Sequence, residues 1–298
     1  MLKILIVYYS QSGQLEEIVS HFAAGFDSNS VIIEKIKIEP IEPYTFPWSS
    51  KRFFAAMPHS VLGIGTAIKP INPAQVHYDL VVLGYQPWYL SPSIPTTSIF
   101  LDENFKKIIA NTPVVTLIGA RNMWLNGQES VKKLLLQCHA RLVGNIVLID
   151  RHNNYASAIS ILQWMLSGKK ERYKGIFPLP GISDKDIHGA ESFGKIVSQH
   201  LDSGTWDNLQ QQLVNSGAVE VNTTLMFIEQ RAKKLFFIWA RLIESKTNKT
   251  LWLKIFKYYL IVALFLIAPV VLLLYRIFFK PFAYKSILKK KKYYLGLN

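Results

Sequence analysis

LKILIVYYSQSGQ, residues 2–14, joins an unbroken apolar run to a short polar turn. The run 2–9 is rich in β-branched and aromatic residues, which predicts a strand buried on both faces. The turn Ser10–Gln14 then leads into residues 15–26, where apolar residues recur at helical spacing. The sequence therefore begins with a predicted strand, a polar loop and the N-terminus of a helix.

The same alternation continues through the first two thirds of the chain. Further strands are predicted at 31–38, 78–84, 113–119 and 144–150, and helices at about 97–110, 128–142 and 188–201. Unbroken apolar strands alternating with amphipathic helices indicate a parallel sheet covered on both faces. We therefore predict an open α/β domain over residues 1–205, with five parallel strands in the order 2-1-3-4-5.

Two segments of this domain are too long to be simple connections. Residues 39–77 and 151–187 contain aromatic residues among turn residues, and we interpret both as insertions. Long loops on this kind of sheet usually shape a ligand pocket, although packing against the sheet edge explains many of their aromatic residues equally well.

Composition excludes several classes of protein. Hydrophobic residues make up 50% of the 298 residues and charged residues 18%, which excludes a disordered chain. The single cysteine, Cys138, excludes an internal disulfide and any multi-cysteine metal site. It falls inside a predicted helix on an apolar face, which favours a core residue over a nucleophile. The histidines lack metal-ligand spacing, so no metal site is predicted.

Positive charge is concentrated in the C-terminal third. Residues 206–298 contain 15 Lys and Arg against 4 Asp and Glu, whereas residues 1–205 contain 19 against 16. These basic residues lie on both sides of an uncharged run of 18 residues, 258–275. At ~1.5 Å per residue, such a helix is ~27 Å long, just enough to cross a hydrocarbon core. An anionic lipid surface is therefore a better predicted partner than nucleic acid.

We divide the C-terminal third into an amphipathic helical linker (206–257), a membrane segment (258–279) and a basic tail (280–298). Both flanks of the membrane segment are basic, and Pro269 lies near its middle. A helix that crosses the bilayer and one that bends back or lies shallowly in it both remain possible interpretations.

Polar and aromatic residues follow three of the predicted strands. Open α/β sheets bind ligands at the carboxyl ends of their strands, so these loops form the candidate site. They contain Ser10, Gln11, Ser12, Gly13 and Gln14 in the first loop; Pro87, Trp88 and Tyr89 in the second; and Gly119, Ala120, Arg121, Asn122 and Trp124 in the third.

The residue types in each loop are suited to binding a different part of a ligand. Hydroxyls and a glycine at a helix N-terminus can surround a phosphate monoester. The absence of a lysine excludes a Walker loop, and the first loop is not GxGxxG, which makes a dinucleotide less favoured. Aromatic residues in the second and third loops can stack on a planar heterocycle.

With these residues, the chain resembles the flavodoxin-like superfamily over residues 1–205. Ser10–Gln14 matches that family's phosphate loop, while 87–89 and 119–122 match its two isoalloxazine loops. The resemblance implies FMN as the cofactor. Leu15 stands where the family usually has Thr or Ser, which implies one phosphate hydrogen bond fewer and a lower affinity.

A closer resemblance is to the membrane-tailed flavodoxin-like proteins of bacterial dialkylresorcinol pathways. It rests on IVYYSQSGQLEEIV (6–19), FPWS (46–49), SVLGI (60–64), QPWYLSP (86–92) and the hydrophobic tail. It implies a membrane-attached FMN-dependent oxidoreductase that aromatises a 2,5-dialkylcyclohexane-1,3-dione to a dialkylresorcinol. It also implies a ketosynthase-type condensing enzyme and an acyl carrier protein as partners, and a catalytic domain on the cytoplasmic face of the inner membrane.

Three residues near the expected flavin loops are candidates for catalysis. His59 has a pKa suited to a base, Tyr89 is a second candidate, and Arg121 could steady an enolate oxygen. Three other functions stay open at this point. They are an NAD(P)H-dependent quinone reductase, a one-electron carrier at the membrane, and a membrane scaffold whose nucleotide site has decayed.

Overall fold

Five parallel strands form the main sheet of the protein, which a computed structural model describes over residues 1–297. The strands are β1 (Leu2–Tyr8), β2 (Val31–Lys37), β3 (Leu80–Tyr85), β4 (Pro87–Trp88), β5 (Ser91–Pro92), β6 (Pro113–Ala120) and β7 (Arg141–Ile149). The five long strands are ordered β2-β1-β3-β6-β7, all parallel, while β4 and β5 form a small antiparallel hairpin. The strand order predicted from the sequence is therefore confirmed.

Helices cover both faces of the sheet. They are α1 (Gln14–Ala23), α2 (Ser50–Leu62), α3 (Ile94–Ile99), α4 (Glu103–Ile109), α5 (Leu125–Gln137), α6 (Asn154–Ser167), α7 (Asp184–Ser203), α8 (Leu209–Asn215), α9 (Thr223–Glu244), α10 (Lys249–Val262), α11 (Ala268–Leu274) and α12 (Tyr284–Leu295). Helix α1 packs against α7, and α9 packs against α2 and α5.

The core is centred on β1, which pairs with a strand on each side. Its residues Ile4–Val7 are completely buried, as the unbroken apolar run predicts. The strands β1, β3 and β6 end at the same edge of the sheet because they are parallel, and this edge positions the candidate site.

Two predicted helices have different bounds in the structure. The segment 97–110 forms two helices, because the Asp102 carboxylate accepts a hydrogen bond from Phe105 N (2.9 Å) and starts α4. The segment 128–142 is helical only to Gln137, and β7 begins at Arg141. Cys138 is thus at the end of α5 rather than inside it, where it packs half-buried against the core.

Each insertion contains a helix that was not predicted. Helix α2 begins after Ser49, whose side chain accepts from Arg52 N (3.2 Å), and continues through Pro58. Helix α6 begins after Asn153, which accepts from the backbone N–H groups of Tyr155 and Ala156. The turn residues that suggested loops are therefore helix caps.

The C-terminal third contains one long apolar helix. Helices α10 and α11, with π-helical turns at Ala263–Ile267 and Tyr275–Phe279, form a continuous 31-residue helix, Lys249–Phe279, here called the apolar helix. An 18-residue stretch of it has a mean hydropathy of 2.7, and it is the one helix among residues 1–297 that is long and apolar enough to cross a membrane. The first π turn lies just before Pro269, which cannot donate a backbone hydrogen bond.

Candidate functional site

The three predicted loops meet at the carboxyl edge of the sheet. Tyr9 N donates to the carbonyl of Gly84 (3.2 Å), and the rings of Tyr9 and Trp88 lie 5.8 Å apart. The third loop joins the end of β7, where Asp150 N donates to the carbonyl of Arg121 (2.8 Å). The structure therefore brings the loops after β1, β3 and β6 to one place.

The N-terminus of α1 presents unpaired backbone donors. Gly13 adopts a left-handed conformation (φ 88°) before the helix, and no side chain caps it. Within residues 1–297, the N–H groups of Ser12, Gly13, Gln14 and Leu15 have no hydrogen-bond acceptor. A Cβ placed on Gly13 would meet no atom within 4 Å, so open space lies beside these donors. Four free N–H groups at a helix N-terminus are suited to an anion.

Three other side chains of this loop are engaged by the protein. Ser10 Oγ accepts from Glu16 N (3.3 Å), although its own proton is not used in that bond. Gln11 accepts from Tyr9 Oη, and its Nε2 donates to the carbonyl of Tyr44 (2.7 Å). Gln14 exchanges two hydrogen bonds of 3.0 Å with the backbone of Ile182. Gln11 and Gln14 therefore fasten the loop to its surroundings, whereas the Ser12 side chain makes no hydrogen bond within residues 1–297.

These engaged side chains join the loop to both insertions. Gln11 reaches the first insertion, and Gln14 reaches the second. The insertions also contact each other: Trp48 N donates to the carbonyl of Met165 (2.8 Å), and the rings of Phe46 and Trp164 lie 5.8 Å apart. The two insertions thus meet beside the first loop, in the position expected of segments that shape a pocket.

The second loop is built around a buried tryptophan. Trp88 packs edge-on against Tyr9, Tyr44 and Trp48, with ring centroids 5.1–5.8 Å apart. Edge-to-face packing is favourable for aromatic rings, and Trp88 is held by it rather than left free to stack on a ligand. The indole N–H of Trp48 is buried without an acceptor among residues 1–297.

Tyr89 is not positioned as a base. It occupies a turn with positive φ (49°), and its hydroxyl donates to the carbonyl of Phe53 (2.7 Å). Burial raises the pKa of Tyr89 well above its usual value, so the phenol stays protonated. This geometry gives Tyr89 a structural role in holding the second loop against α2, whereas Pro87 packs towards Gly127 of α5.

The third loop presents a cationic group and an unpaired acceptor. Arg121 Nη1 donates to the carbonyl (2.9 Å) and to Oδ1 (3.0 Å) of Asn154, and Asn122 Nδ2 donates to the same Oδ1 (2.8 Å). Burial lowers the pKa of Arg121 to about 10, opposed by the charge of Asp150, so it is protonated at neutral pH. Asn122 Oδ1 is buried and has no donor within the described chain.

The remaining residues of the third loop support it. Gly119 and Ala120 end β6, and Trp124, 2% exposed, precedes α5. Ala120 and Trp124 are both buried in the hydrophobic core.

His59 is paired with a residue of the C-terminal helices. It is in α2, and its Nε2 is 3.6 Å from Glu244 Oε1 at the end of α9. Since α2 packs on α9, this histidine faces the C-terminal helices, and the structure does not support it as the base of the candidate site.

A histidine that the sequence analysis did not single out is better placed. His152 follows β7, and its Nδ1 lies 2.7 Å from Oδ1 of the buried Asp150. Asp150 also accepts from Ser157 Oγ (2.6 Å) and donates its N–H to the Arg121 loop. The carboxylate therefore orients His152, which remains half-exposed beside the site. The signal was present in the sequence as an Asp-x-His at the end of a buried strand.

A second missed residue closes the N-terminus of α5. Glu229 of α9 is 1% exposed, and its Oε1 accepts from Asn126 N (2.7 Å), while Asn126 Nδ2 donates to the Glu229 carbonyl. Burial raises the pKa of Glu229 to about 7. Only its helical spacing in α9 was visible in the sequence, which carries no sign of a partner 103 residues away.

Beyond the second loop lies an apolar cavity. It measures about 310 Å³ between α2 and α9, and Val61, Tyr89, Phe236 and Phe237 are among its lining residues. It does not include the free donors of the first loop. The free donors therefore lie in a recess at the sheet edge, while the apolar cavity is on the α9 side of Tyr89.

Comparisons with known proteins give structural similarity only. No protein-family profile matches the sequence. No curated protein matches it either. Among solved structures, a flavoprotein in complex with FMN from Lactobacillus acidophilus NCFM is 17% identical, with a TM-score of 0.41, over 49% of this chain and 93% of that one. A putative flavoprotein from Bacteroides eggerthii DSM 20697 is 22% identical, with a TM-score of 0.38, over 56% and 99%. An NAD(P)H:quinone oxidoreductase from Methanothermobacter marburgensis is 11% identical, with a TM-score of 0.35, over 66% and 96%.

The fold assignment itself rests on the sheet. Five parallel strands in the order β2-β1-β3-β6-β7, with helices on both faces, are the arrangement of the flavodoxin-like class. The candidate site lies at the carboxyl ends of β1 and β3, where the strand order reverses and where ligands bind in this class. The part of the chain that forms this sheet and its covering helices therefore has a flavodoxin-like fold.

Proposed function

We propose that this protein is an FMN-dependent oxidoreductase. The observation that carries the proposal is the set of four unpaired backbone N–H groups, Ser12–Leu15, beside open space at Gly13. A phosphate monoester would accept from these groups and from the Ser12 hydroxyl, and the positive end of the α1 dipole favours its charge.

The unpaired buried atoms near the loops also fit a flavin. Asn122 Oδ1 is an acceptor without a donor, and Trp48 Nε1 is a donor without an acceptor within residues 1–297. The flavin ring carries both an N–H donor and several acceptors, so it offers each kind of partner that these atoms lack, whereas an apolar ligand offers neither. When bound, FMN would act as the hydride acceptor for the substrate.

His152 and Arg121 would provide the remaining chemistry. The His152–Asp150 pair has the arrangement of a general base oriented by a buried carboxylate, and it replaces His59 and Tyr89 as our candidate. Arg121, which is charged and held by Asn154, would stabilise an enolate oxygen as the ring proton is removed.

We further propose that the substrate is a hydrophobic ring, specifically a 2,5-dialkylcyclohexane-1,3-dione that is aromatised to a dialkylresorcinol. The ring would lose one hydride to the flavin and one proton to His152, and enolisation of the product then completes the aromatic ring. The apolar cavity lined by Tyr89, Phe236 and Phe237 offers space for an alkyl chain. A ketosynthase-type condensing enzyme using an acyl carrier protein would supply the dione.

The test begins with the visible spectrum of the detergent-extracted protein. We expect a flavin spectrum that is bleached when the dione is added without oxygen, together with formation of the resorcinol. Reduction by NAD(P)H but not by the dione would favour a quinone reductase instead. Protein that is colourless and takes up no added FMN would overturn the whole proposal.

A variant pair then tests the base. His152→Ala should retain the flavin spectrum but lose about 100-fold or more in the rate of dione-dependent bleaching. His77→Ala is the matched control, because His77 is exposed before β3 at the opposite edge of the sheet. Equal rates for the two variants would exclude His152 as the base.

A further inference from the structure

We propose that the apolar helix lies in the plane of an anionic membrane surface and does not cross the bilayer. The proposal concerns how the protein is attached, and it stands independently of the redox chemistry proposed above. It rests on three observations: the contacts at both ends of the helix, the exposed apolar residues on its surface, and the charges that flank it.

The length of the helix is the first difficulty for a crossing. Its 31 residues extend ~46 Å, against ~30 Å for a hydrocarbon core. A crossing helix of this length would carry its two ends well out on opposite sides of the membrane. Both ends, however, contact the same body of the protein.

The beginning of the helix is packed against α2 and α9. Phe256 is fully buried in a cluster with Met57 of α2 and with Ala240 and Ile243 of α9. Its ring lies 5.7 Å from that of Trp239. This end is therefore held on the surface of the α/β domain.

The middle and the far end of the helix are held by the same body. Phe265 lies 6.5 Å from Tyr155 of α6, measured between ring centroids. Tyr275 is 3% exposed and stacks on Phe227 of α9, with centroids 3.6 Å apart. The helix thus contacts the rest of the protein near its beginning, middle and end.

The chain after the apolar helix also returns to the domain. In α12, Tyr293 Oη donates to Glu129 of α5 (2.9 Å), and Gln210 Nε2 of α8 donates to the carbonyl of Leu295 (2.8 Å). Gln230 Nε2 of α9 donates to Tyr294 Oη (3.1 Å). A crossing would require all of these contacts to break, because α12 would be on the far side of the membrane.

Much of the surface of the helix is apolar and exposed. Five exposed residues at helical spacing, here called the stripe, are Val262, Leu266, Val270, Leu273 and Ile277, with exposed fractions of 44–66%. Ile267 and Leu274 beside them are 49% and 45% exposed. A broad apolar surface on a helix that contacts the domain near both ends is suited to insertion into the headgroup and acyl boundary of one leaflet.

Basic residues flank the stripe at both ends. Lys254 and Lys257 precede it, and Arg276, Lys285 and the run 289–292 follow it. In a crossing helix these two groups would face opposite leaflets, whereas in an in-plane helix both face the same anionic headgroups. The charge pattern therefore identifies the occupant of the stripe as an anionic lipid surface.

The sidedness of single cysteines tests the orientation. On a Cys138→Ala background, Thr247→Cys and Ser286→Cys place thiols before and after the apolar helix, and Asp202→Cys marks the α/β domain. The labelling uses sealed bacterial membrane vesicles oriented so that the cysteine of Asp202→Cys is on the outside. We expect a membrane-impermeant maleimide to label the cysteines of all three variants without detergent. If either flanking thiol needs detergent for labelling, the helix crosses and the proposal is wrong.

A matched leucine pair tests the lipid contact. Leu266 in the stripe is 66% exposed, and Leu101, in the turn between α3 and α4, is 63% exposed. We expect Leu266→Asp to reduce flotation with phosphatidylcholine–phosphatidylglycerol vesicles about tenfold, and Leu101→Asp to leave it unchanged. The unaltered protein should float less with vesicles of phosphatidylcholine alone.

The same variants show whether lipid or another protein molecule covers the stripe. If Leu266→Asp floats normally but dissociates an oligomer in analytical ultracentrifugation, a second copy of the chain covers the stripe and the proposal is overturned. Retention of the far-UV circular dichroism spectrum by Leu266→Asp excludes misfolding as the cause of lost flotation.

Discussion

Helices α1 and α5 begin at the same edge of the sheet, but the backbone N–H groups at their N-termini have different partners. At α1, four backbone N–H groups have no acceptor in the described chain, and the space beside Gly13 is open. At α5, the buried carboxyl group of Glu229 accepts from Asn126 N at 2.7 Å. One helix end is occupied by a carboxyl group of the protein, and the other is left open.

This difference locates the ligand. Every helix N-terminus favours negative charge, so the dipole alone does not distinguish a binding site from an ordinary helix end. The contrast with α5 does, because it shows that the protein supplies an internal carboxyl group where no ligand is to bind. Four substitutions test the candidate site at α1 and the helix end at α5 with which it is compared.

Gly13→Val should have the largest effect on FMN binding, because a β-branched residue cannot adopt φ 88° without strain and the N–H groups would be displaced. We expect FMN affinity to fall about 100-fold or more, or about 2.7 kcal/mol, in fluorescence titrations. Gly217→Val is the control, since Gly217 also has positive φ (81°) and open space around it but lies before the C-terminal helices. If both variants bind FMN equally well, the α1 loop is not the phosphate site.

Glu229→Gln should remove a dependence of stability on pH. A carboxyl with a pKa of about 7 when folded, against 4.5 when unfolded, binds more protons in the folded state between these values. Stability therefore falls as pH rises from about 4.5 to about 7, by about 3 kcal/mol at most.

Urea unfolding at about pH 5 and about pH 8 measures this difference. The glutamine variant should show a smaller fall between the two conditions than the unaltered protein, because its side chain does not ionise. An unchanged fall would mean that Glu229 is not the titrating group.

Asn122→Ala should weaken FMN binding by about 1–2 kcal/mol, the typical value for loss of one buried hydrogen bond to a ligand. Its Oδ1 is the unpaired acceptor of the third loop. The expected result is weaker binding together with a shift of the flavin absorption maximum, which reports a change at the ring rather than at the phosphate. Riboflavin, which lacks the phosphate, should be affected by a similar factor.

Ser12→Ala should have the smallest effect, about 0.5–1.5 kcal/mol, because it removes one hydroxyl while the backbone donors remain. Riboflavin binding should not change, and this separates the phosphate end of the site from the ring end. A larger loss than for Gly13→Val would show that the side chain, not the backbone, forms the anion site.

The sheet and its order could be predicted because they depend on local patterns. Apolar runs such as 2–9 mark buried strands wherever they occur, and the polar turn after β1 marks the start of α1. The positions of the three loops follow from the parallel arrangement, and the structure brings them together.

Side-chain roles could not be predicted, because they depend on contacts between distant residues. Gln14 binds Ile182, 168 residues away, and Glu229 binds Asn126, 103 residues away. His59 seemed suitable from its place in an insertion, but that insertion folds into a helix that turns it towards α9. His152 was overlooked because the carboxylate that orients it is recognisable as buried only once β7 is in place.

Gln14 has a consequence for the rigidity of the first loop. Its two hydrogen bonds to the backbone of Ile182 fasten the start of α1 to the second insertion. The N–H groups beside Gly13 are therefore held in place before any ligand arrives, and a preorganised set of donors loses little conformational entropy when an anion binds.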